Sequence, residues 1–257
     1  MTGADPGRIV QRARSLTGFL GPAHILDVVG STQDEAGRRA GNGAEEGTLV
    51  VARTQSQGRG RLGREWYSPP GTGFYGSVVL RPGGDVTRWP AISVLAGAGL
   101  ARELASAGIA DVRLKWPNDC LIGGRKVAGV LAEAHPDGGY VILGLGLNLS
   151  FGGAALPLDR IPMATDLATH LAAEGDLEET CARALAGAVQ AYSDSLPGLV
   201  VERGMVDSIL WTRDEVVVGG VTGRVKGIHW TGALVLEGAD GGARLVSDGE
   251  VKDAGSD

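Results

Sequence analysis

Cysteine is almost missing from this chain of 257 residues: Cys120 and Cys181 stand far apart and in no C-x-x-C arrangement. That argues against a disulfide framework and for the reducing cytosol as the compartment. The first stretch, MTGADPGRIVQRARSL, lacks the apolar core of a signal peptide. No hydrophobic run approaches the roughly 18 residues that span a bilayer, so a cytoplasmic protein with no membrane partner is expected. Positive charge is not in excess either, since 24 Lys and Arg against 30 Asp and Glu leave a net charge of -6. A broad basic surface for nucleic acid is therefore not implied. No internal repeat, no low-complexity tract and no cluster of acids at metal-ligand spacing is visible, so no protein-held metal site is expected.

Glycine, by contrast, is abundant, with 43 residues, many in short clusters that read as turns. The first ten or so residues are polar and Gly/Pro-bearing and read as an untied terminal segment. HILDVVGSTQDEAGRRAGNG reads as a strand, a Ser31-Thr32 turn that caps a short helix, and a stop at Gly41-Asn42-Gly43. Strands follow at Thr48 to Thr54 and in GFYGSVVLRP. From Trp89 to Gly108 the period turns helical, with Ile92, Leu95, Ala96, Leu100 and Leu104 on one face. DVRLKWPND is a strand running into a turn, LIGGRKVAGVLAEA a hairpin with Gly123-Gly124 at its tip, and YVILGLGLNLS a strand. Two helices are expected next, one carrying Cys181 to Leu196 and one over about Leu199 to Trp211. Beyond Trp211 short apolar runs alternate with glycine turns, the pattern of a small antiparallel barrel, and a domain boundary falls near residue 212.

Against the acidic background, Arg53, Arg59, Arg61 and Arg64 fall within twelve residues. Gly58, Gly60 and Gly63 in GRGRLGREW satisfy the G-x-G-x-x-G template of dinucleotide folds. That template must open a helix whose N-terminal amides hold pyrophosphate. Here EWYSPPGTG follows, and Pro69-Pro70 forbids a helix. The loop reads instead as one that wraps an anion, with guanidinium forks and close backbone amides both aimed at oxygen; a solvated surface loop is the alternative.

Two further stretches point to a nucleotide or anion site. In KWPNDCLIGGRKVAGVL, Asn118 and Asp119 are either Asx-turn residues or polar groups projected into a cleft. Lys126 is either a surface lysine or a compact cation aimed at a carboxylate or phosphate. In GLGLNLS, Gly144 and Gly146 leave room beside the sheet, and Asn148 offers an amide edge that matches adenine.

Taken together, GSTQD, TQSQGRGRLGREWYSPPGTGFYGSVVL, KWPND, GRKVAGVLAE and GLGLNL occur in the order, and near the spacing, of biotin protein ligases. The resemblance covers about residues 25–150, and the part after 212 is similar to that family's C-terminal SH3-like module. It implies an α+β fold: a mixed-sheet catalytic domain flanked by helices over 1–211 and a small C-terminal SH3-like β-barrel domain over 212–257. It implies activation of biotin by Mg·ATP as biotinyl-5′-AMP, then transfer to a lysine of a biotin carboxyl-carrier domain. Arg61 and Lys126 match catalytic positions. Ser31, Thr32, Gln55, Gly58, Arg59, Arg61, Lys126, Gly129 and Gly144 match the biotin site. Arg61, Arg64, Trp66, Asn118 and Asn148 match the nucleotide side, with Mg²⁺ riding on the phosphates. Some relatives carry an N-terminal DNA-binding domain; only about thirty residues precede Gly30-Ser31-Thr32 here, so a form without it, and without specific DNA binding, is expected.

Three rivals stand beside this reading. A lipoate-type ligase shares fold and adenylate chemistry but should lack the GRGRxGR loop. A non-catalytic adapter would not need Arg59, Arg61 and Lys126 intact. A nucleic-acid binder conflicts with the charge.

Overall fold

The structure, a computed structural model, describes residues 4–152, 161, 163–173, 175–207, 209–212 and 215–254. In chain order come α1 (Pro6–Leu16), β1 (Ala23–Val29), α2 (Thr32–Gly41), β2 (Leu49–Gln55), β3 (Gly73–Leu80), α3 (Ala91–Ser106), β4 (Val112–Lys115), β5 (Asp119–Ile122), β6 (Arg125–His135), β7 (Tyr140–Asn148), α4 (Leu177–Asp194) and the single turn α5 (Arg203–Val206). Seven strands form one mixed sheet, ordered β1-β2-β3-β7-β6-β5-β4, in which β1 and β2 are parallel and the other pairs antiparallel. The β5–β6 hairpin turns at Gly123 and Gly124 as expected, both at positive φ, which a two-residue turn of this hand requires.

Strand side chains alternate between faces, and residues paired in register share one. On one face Val50, Val79 and Ile142 pack under Ala36 and Ala40 of α2. The same face continues through Ser77 and Gly144, which are paired, to Gly146 and Gly129, also paired. The first turn of α2 stands over Ser77 and Gly144, so its N-terminus borders a stretch of sheet floored by the glycine pair Gly129 and Gly146. The opposite face, with Leu49, Val51, Val78, Leu80 and Leu143, belongs to the large core shared with α1, α3 and α4.

Three expectations need correction. The N-terminal segment is tied down: Asp5 caps α1 by accepting from Gly7 N–H at 3.0 Å, Pro6 fills the first turn, and Ile9, Val10 and Ala13 are buried. Arg12 reaches Asp176 of the α4 cap at 2.6 Å, and the first three residues lie outside the described ones. α3 is buried on nearly all sides rather than on one face, because it lies between the sheet and α4; at Gly99 a Cβ would stand 2.1 Å from the Gly187 carbonyl oxygen of α4. The helix expected over Leu199 to Trp211 reduces to α5. Val201 N–H donates to Trp230 and Trp211 N–H to Leu114. The apolar residues there are buried between two sheets, so no single helix face has to gather them; Ser208 of that span lies outside the described residues.

The second sheet holds β8 (Val216–Val218), β9 (Val221–Ile228), β10 (Leu234–Glu237), β11 (Ala243–Val246) and β12 (Lys252–Asp253), all antiparallel and ordered β11-β10-β9-β8-β12. Trp116 of the first sheet's KWPND turn donates its Nε1–H to the Gly232 carbonyl at 2.9 Å, which joins the two sheets. Among the described residues, no helix is long and apolar enough to cross a membrane.

Candidate functional site

GRGRLGREW folds into a tight hairpin. Trp66 N–H donates to Gly58 O at 2.8 Å and Gly60 N–H to Arg64 O at 2.7 Å, with one 3-10 turn, Arg61–Gly63, at the tip. No helix follows, which removes the dinucleotide reading on geometry. Gly58 is held by space: a Cβ there would lie 2.4 Å from the Trp66 carbonyl oxygen. At the tip Leu62 adopts φ 58°, a left-handed conformation uncommon for a side chain of its size.

Beneath the hairpin lies a small cavity of ≈ 40 Å³, lined by Ser31, Thr32, Gln55, Gly129 and Gly144 among others. Ser31 caps α2 by accepting from Gln33 N–H at 3.2 Å. Thr32 donates its N–H and Oγ1–H to Gln55 Oε1 at 2.8 and 3.1 Å, and Gln55 Nε2–H donates to Ser68 Oγ at 2.9 Å. Ser77 Oγ lies 2.9 Å from both Thr32 Oγ1 and Gln33 Oε1. Gln33 Nε2–H donates to Glu133 Oε2 at 2.8 Å. These polar groups fix one another, so the end of the cavity under the α2 N-terminus is a rigid, hydrogen-bonding wall. A Cβ on Gly144 would come 2.7 Å from Gln33 Oε1, so glycine there makes room for that wall.

The other end is filled by an indole. Trp66 lies against the glycine pair, where a Cβ on Gly146 would sit 2.4 Å and one on Gly129 2.9 Å from its ring. Its Nε1–H is buried without a hydrogen-bond partner. Lys126 Nζ lies 5.1 Å from the Trp66 ring centre and 2.7 Å from Asp119 Oδ1. Beyond it opens a larger cleft of ≈ 560 Å³ between the two sheets, lined by Arg64, Tyr67, Lys115, Asn148, Trp211 and Lys252 among others. Trp66 and Lys126 line both cavities. Under the Pro69–Thr72 turn, burial pushes the Tyr75 phenol up to about 12.

The arginines divide. Arg59 stays at the mouth of the small cavity, 2.8 Å from Asp34 and 2.9 Å from Glu133. Arg61 faces neither cavity: its guanidinium donates to Asp248 Oδ1 at 2.6 Å and to Gly249 O at 3.2 Å. Arg64 forks onto both Glu250 oxygens and holds that carboxyl below the usual carboxylate range. Asn118 lines the small cavity but spends its Nδ2–H on Val130 O at 2.8 Å, tying the KWPND turn to β6. Asn148 lines the cleft, with Nδ2–H donating to Lys126 O and Thr165 O.

Sequence reasoning missed Gln33 and Ser77 as wall residues and Glu133 as the carboxylate that Gln33 and Arg59 meet. Ser77 carries a legible signal, as a lone hydroxyl inside the apolar run of β3. Gln33 and Glu133 carry none, since either reads as an ordinary residue of a helix or strand surface.

Residues 27–148 match the Biotin/lipoate A/B protein ligase family. The chain is 31% identical over 240 residues to the bifunctional ligase/repressor BirA of Bacillus spizizenii, covering 87% of this chain and 72% of that protein. It is 32% identical over 238 residues to the Biotin--(acetyl-CoA-carboxylase) ligase of Mycobacterium tuberculosis, covering 88% of each. Among solved structures, the biotin protein ligase from Aquifex aeolicus in complex with biotin and ATP aligns with a TM-score of 0.74 at 28% identity, covering 91% of this chain and 98% of that one.

Proposed function

The chain belongs to the biotin/lipoate A/B protein ligase family, as one of its biotin protein ligases, and from that premise we propose its full reaction and the residues that run it. Biotin's carboxylate oxygen attacks the α-phosphorus of ATP. The α–β phosphoanhydride bond breaks, pyrophosphate leaves with the electron pair, and biotinyl-5′-AMP forms. The neutral amine of a lysine on a biotin carboxyl-carrier domain then attacks the acyl carbon; AMP leaves, and the amine's proton passes to solvent.

The observation that carries this reading is the pair of cavities that meet at Lys126 and Trp66. The small polar cavity suits the ureido head of biotin, with Ser31, Thr32 and Gln55 as its hydrogen-bonding wall and Gly129 and Gly144 leaving space. The larger cleft suits the nucleotide, with Asn148 toward adenine and Arg64 and Asn118 nearer the phosphates. A carboxylate and a triphosphate repel, and Lys126 stands where the two would touch; a fixed cation there stabilises the charge that develops at phosphorus. Entry of biotin moves the Trp66 indole off Gly129 and Gly146, after which the ring is free to cover the adenine face. Gly58, Arg59 and Arg61 belong to the loop that closes over the water-sensitive anhydride. Mg²⁺ enters on the ATP phosphates, the common arrangement for an ion that keeps most of its water shell.

We read residues 1–211 as the catalytic domain and 212–257 as the C-terminal one, a division supported by the separate second sheet, and the enzyme as cytoplasmic with no DNA or membrane partner. The test of the function is biotin-dependent exchange of labelled pyrophosphate into ATP, followed by transfer to a carrier domain. Exchange driven better by lipoate or octanoate would overturn the biotin assignment in favour of a lipoate-type ligase.

A further inference from the structure

The two arginines at the far end of the loop are held by carboxylates from the second sheet, 187 and 186 residues away in sequence. The presenting turn is itself well built. Gly249 N–H donates to Asp248 Oδ1 at 2.8 Å, Gly249 adopts φ 137°, and a Cβ there would stand 3.0 Å from Val218 Cγ1, so the turn rests against β8. Arg61 meets a carboxylate and a carbonyl, and Arg64 meets Glu250 with both terminal nitrogens. Glu250 also lines the larger cleft, together with Arg64, Lys115, Lys126 and Lys252.

A guanidinium fork matched to one carboxylate cannot at the same time present that edge to a phosphate. From this we infer that Asp248 and Glu250 are positioning residues, which hold Arg61 and Arg64 on the second sheet until the triphosphate of ATP takes their place. The inference rests on the reading of the cleft as the nucleotide site. The exchange favours the nucleotide because a triphosphate offers several charged oxygens where each carboxylate offers one charge.

Contacts made only before binding oppose binding, so their removal strengthens it. The experiment is the full-length Asp248→Asn/Glu250→Gln double variant in the pyrophosphate-exchange assay. Its KM for ATP falls about three- to tenfold, the range for two partly exposed ion pairs, while kcat changes less than twofold and the Kd for biotin alone is unchanged. Asp248→Glu/Glu250→Asp restores the wild-type KM. Asp240→Asn, an equal charge change at the β10–β11 turn where Asp240 pairs with Arg244, leaves it unmoved. An unchanged or raised KM in the double variant would overturn the inference. Absence of biotin-dependent exchange in the wild type would instead sink the ligase reading. Trypsin separates the two failures without activity: the double variant is cut after Arg61 and Arg64 faster than wild type, and equal cutting shows that the carboxylates hold nothing.

Discussion

Ser77, on the floor of the small cavity, is 0% exposed and hydrogen-bonds both Thr32 and Gln33; Leu62, at the tip of the loop above it, is 71% exposed and touches no core. The floor and the loop serve one site but are stabilised differently. Floor groups are paired inside the protein, where an unmet partner is expensive, so their geometry is set before any ligand arrives. The loop depends on a short hairpin and on ion pairs at the surface, each worth little and each replaceable by another anion. Recognition of a neutral head suits the first, and capture of phosphates suits the second.

The largest expected effect comes from the residue at the junction. Lys126→Ala slows biotinyl-adenylate formation by at least about 100-fold, the scale of losing one electrostatic stabiliser. The fold survives, because the side chain is a third exposed. Single-turnover rates near normal would show that Lys126 serves only its pair with Asp119.

Ser77→Ala tests the floor. It leaves Gln33 Oε1 without that donor, and unfolding in urea is expected to lose about 1–3 kcal/mol, the range for a buried polar group stripped of its partner. Biotin binding weakens with it, while cleavage in the loop is unaffected. A variant as stable as wild type would mean that the polar wall is not preorganised by this hydroxyl.

Trypsin tests the loop. It cuts the free protein after Arg61 and Arg64, since weakly held hairpins open most often. Biotin with Mg·ATP slows those cuts about tenfold or more, and ATP alone protects less, because a ligand stabilises closure only through its preference for the closed form. Identical time courses with and without ligand would remove the closure mechanism.

The smallest effect is acid release of the loop. Arg64 holds the Glu250 carboxyl below its ordinary value. A lowered value means that docking contributes above the ordinary carboxylate range, near 4.3, and is lost as pH falls through the lowered value. Amide exchange over residues 60–63, corrected for intrinsic rate, is expected to rise a few-fold below about pH 4, and to respond less to pH in Glu250→Gln, where Asp248 alone still holds the loop. Parallel profiles in the two proteins would show that Glu250 does not anchor the loop.

Much of the fold is legible from local pattern. The capped α2, the strands around it and the Gly123-Gly124 hairpin all carry signals that act within a few residues. α1 is harder, because Gly and Pro read as loop, although Asp5-Pro6 is also a helix start once a partner such as α4 exists. The stretch after Leu199 misleads in the opposite sense, since apolar residues spaced for a helix are buried by two sheets instead. In the site, Ser31, Thr32, Gln55, Arg59, Lys126, Gly129 and Gly144 converge as the motifs suggest. Arg61 does not, because its partner lies on the second sheet.

By itself the sequence determined the strands of the first sheet with α2, α3 and α4, where α2 is capped, that GRGRLGREW cannot open a helix, and which residue types could meet two anions. Tertiary structure decided that Gly129 lies opposite Gly146 and Ser77 opposite Gly144, that Trp66 lies on the glycine pair, and that Arg61 and Arg64 reach Asp248 and Glu250. Capping and alternation are set by neighbours a few residues apart, and so leave a local trace. Register and docking join residues far apart along the chain, and their energies exist only once the backbone has brought them together.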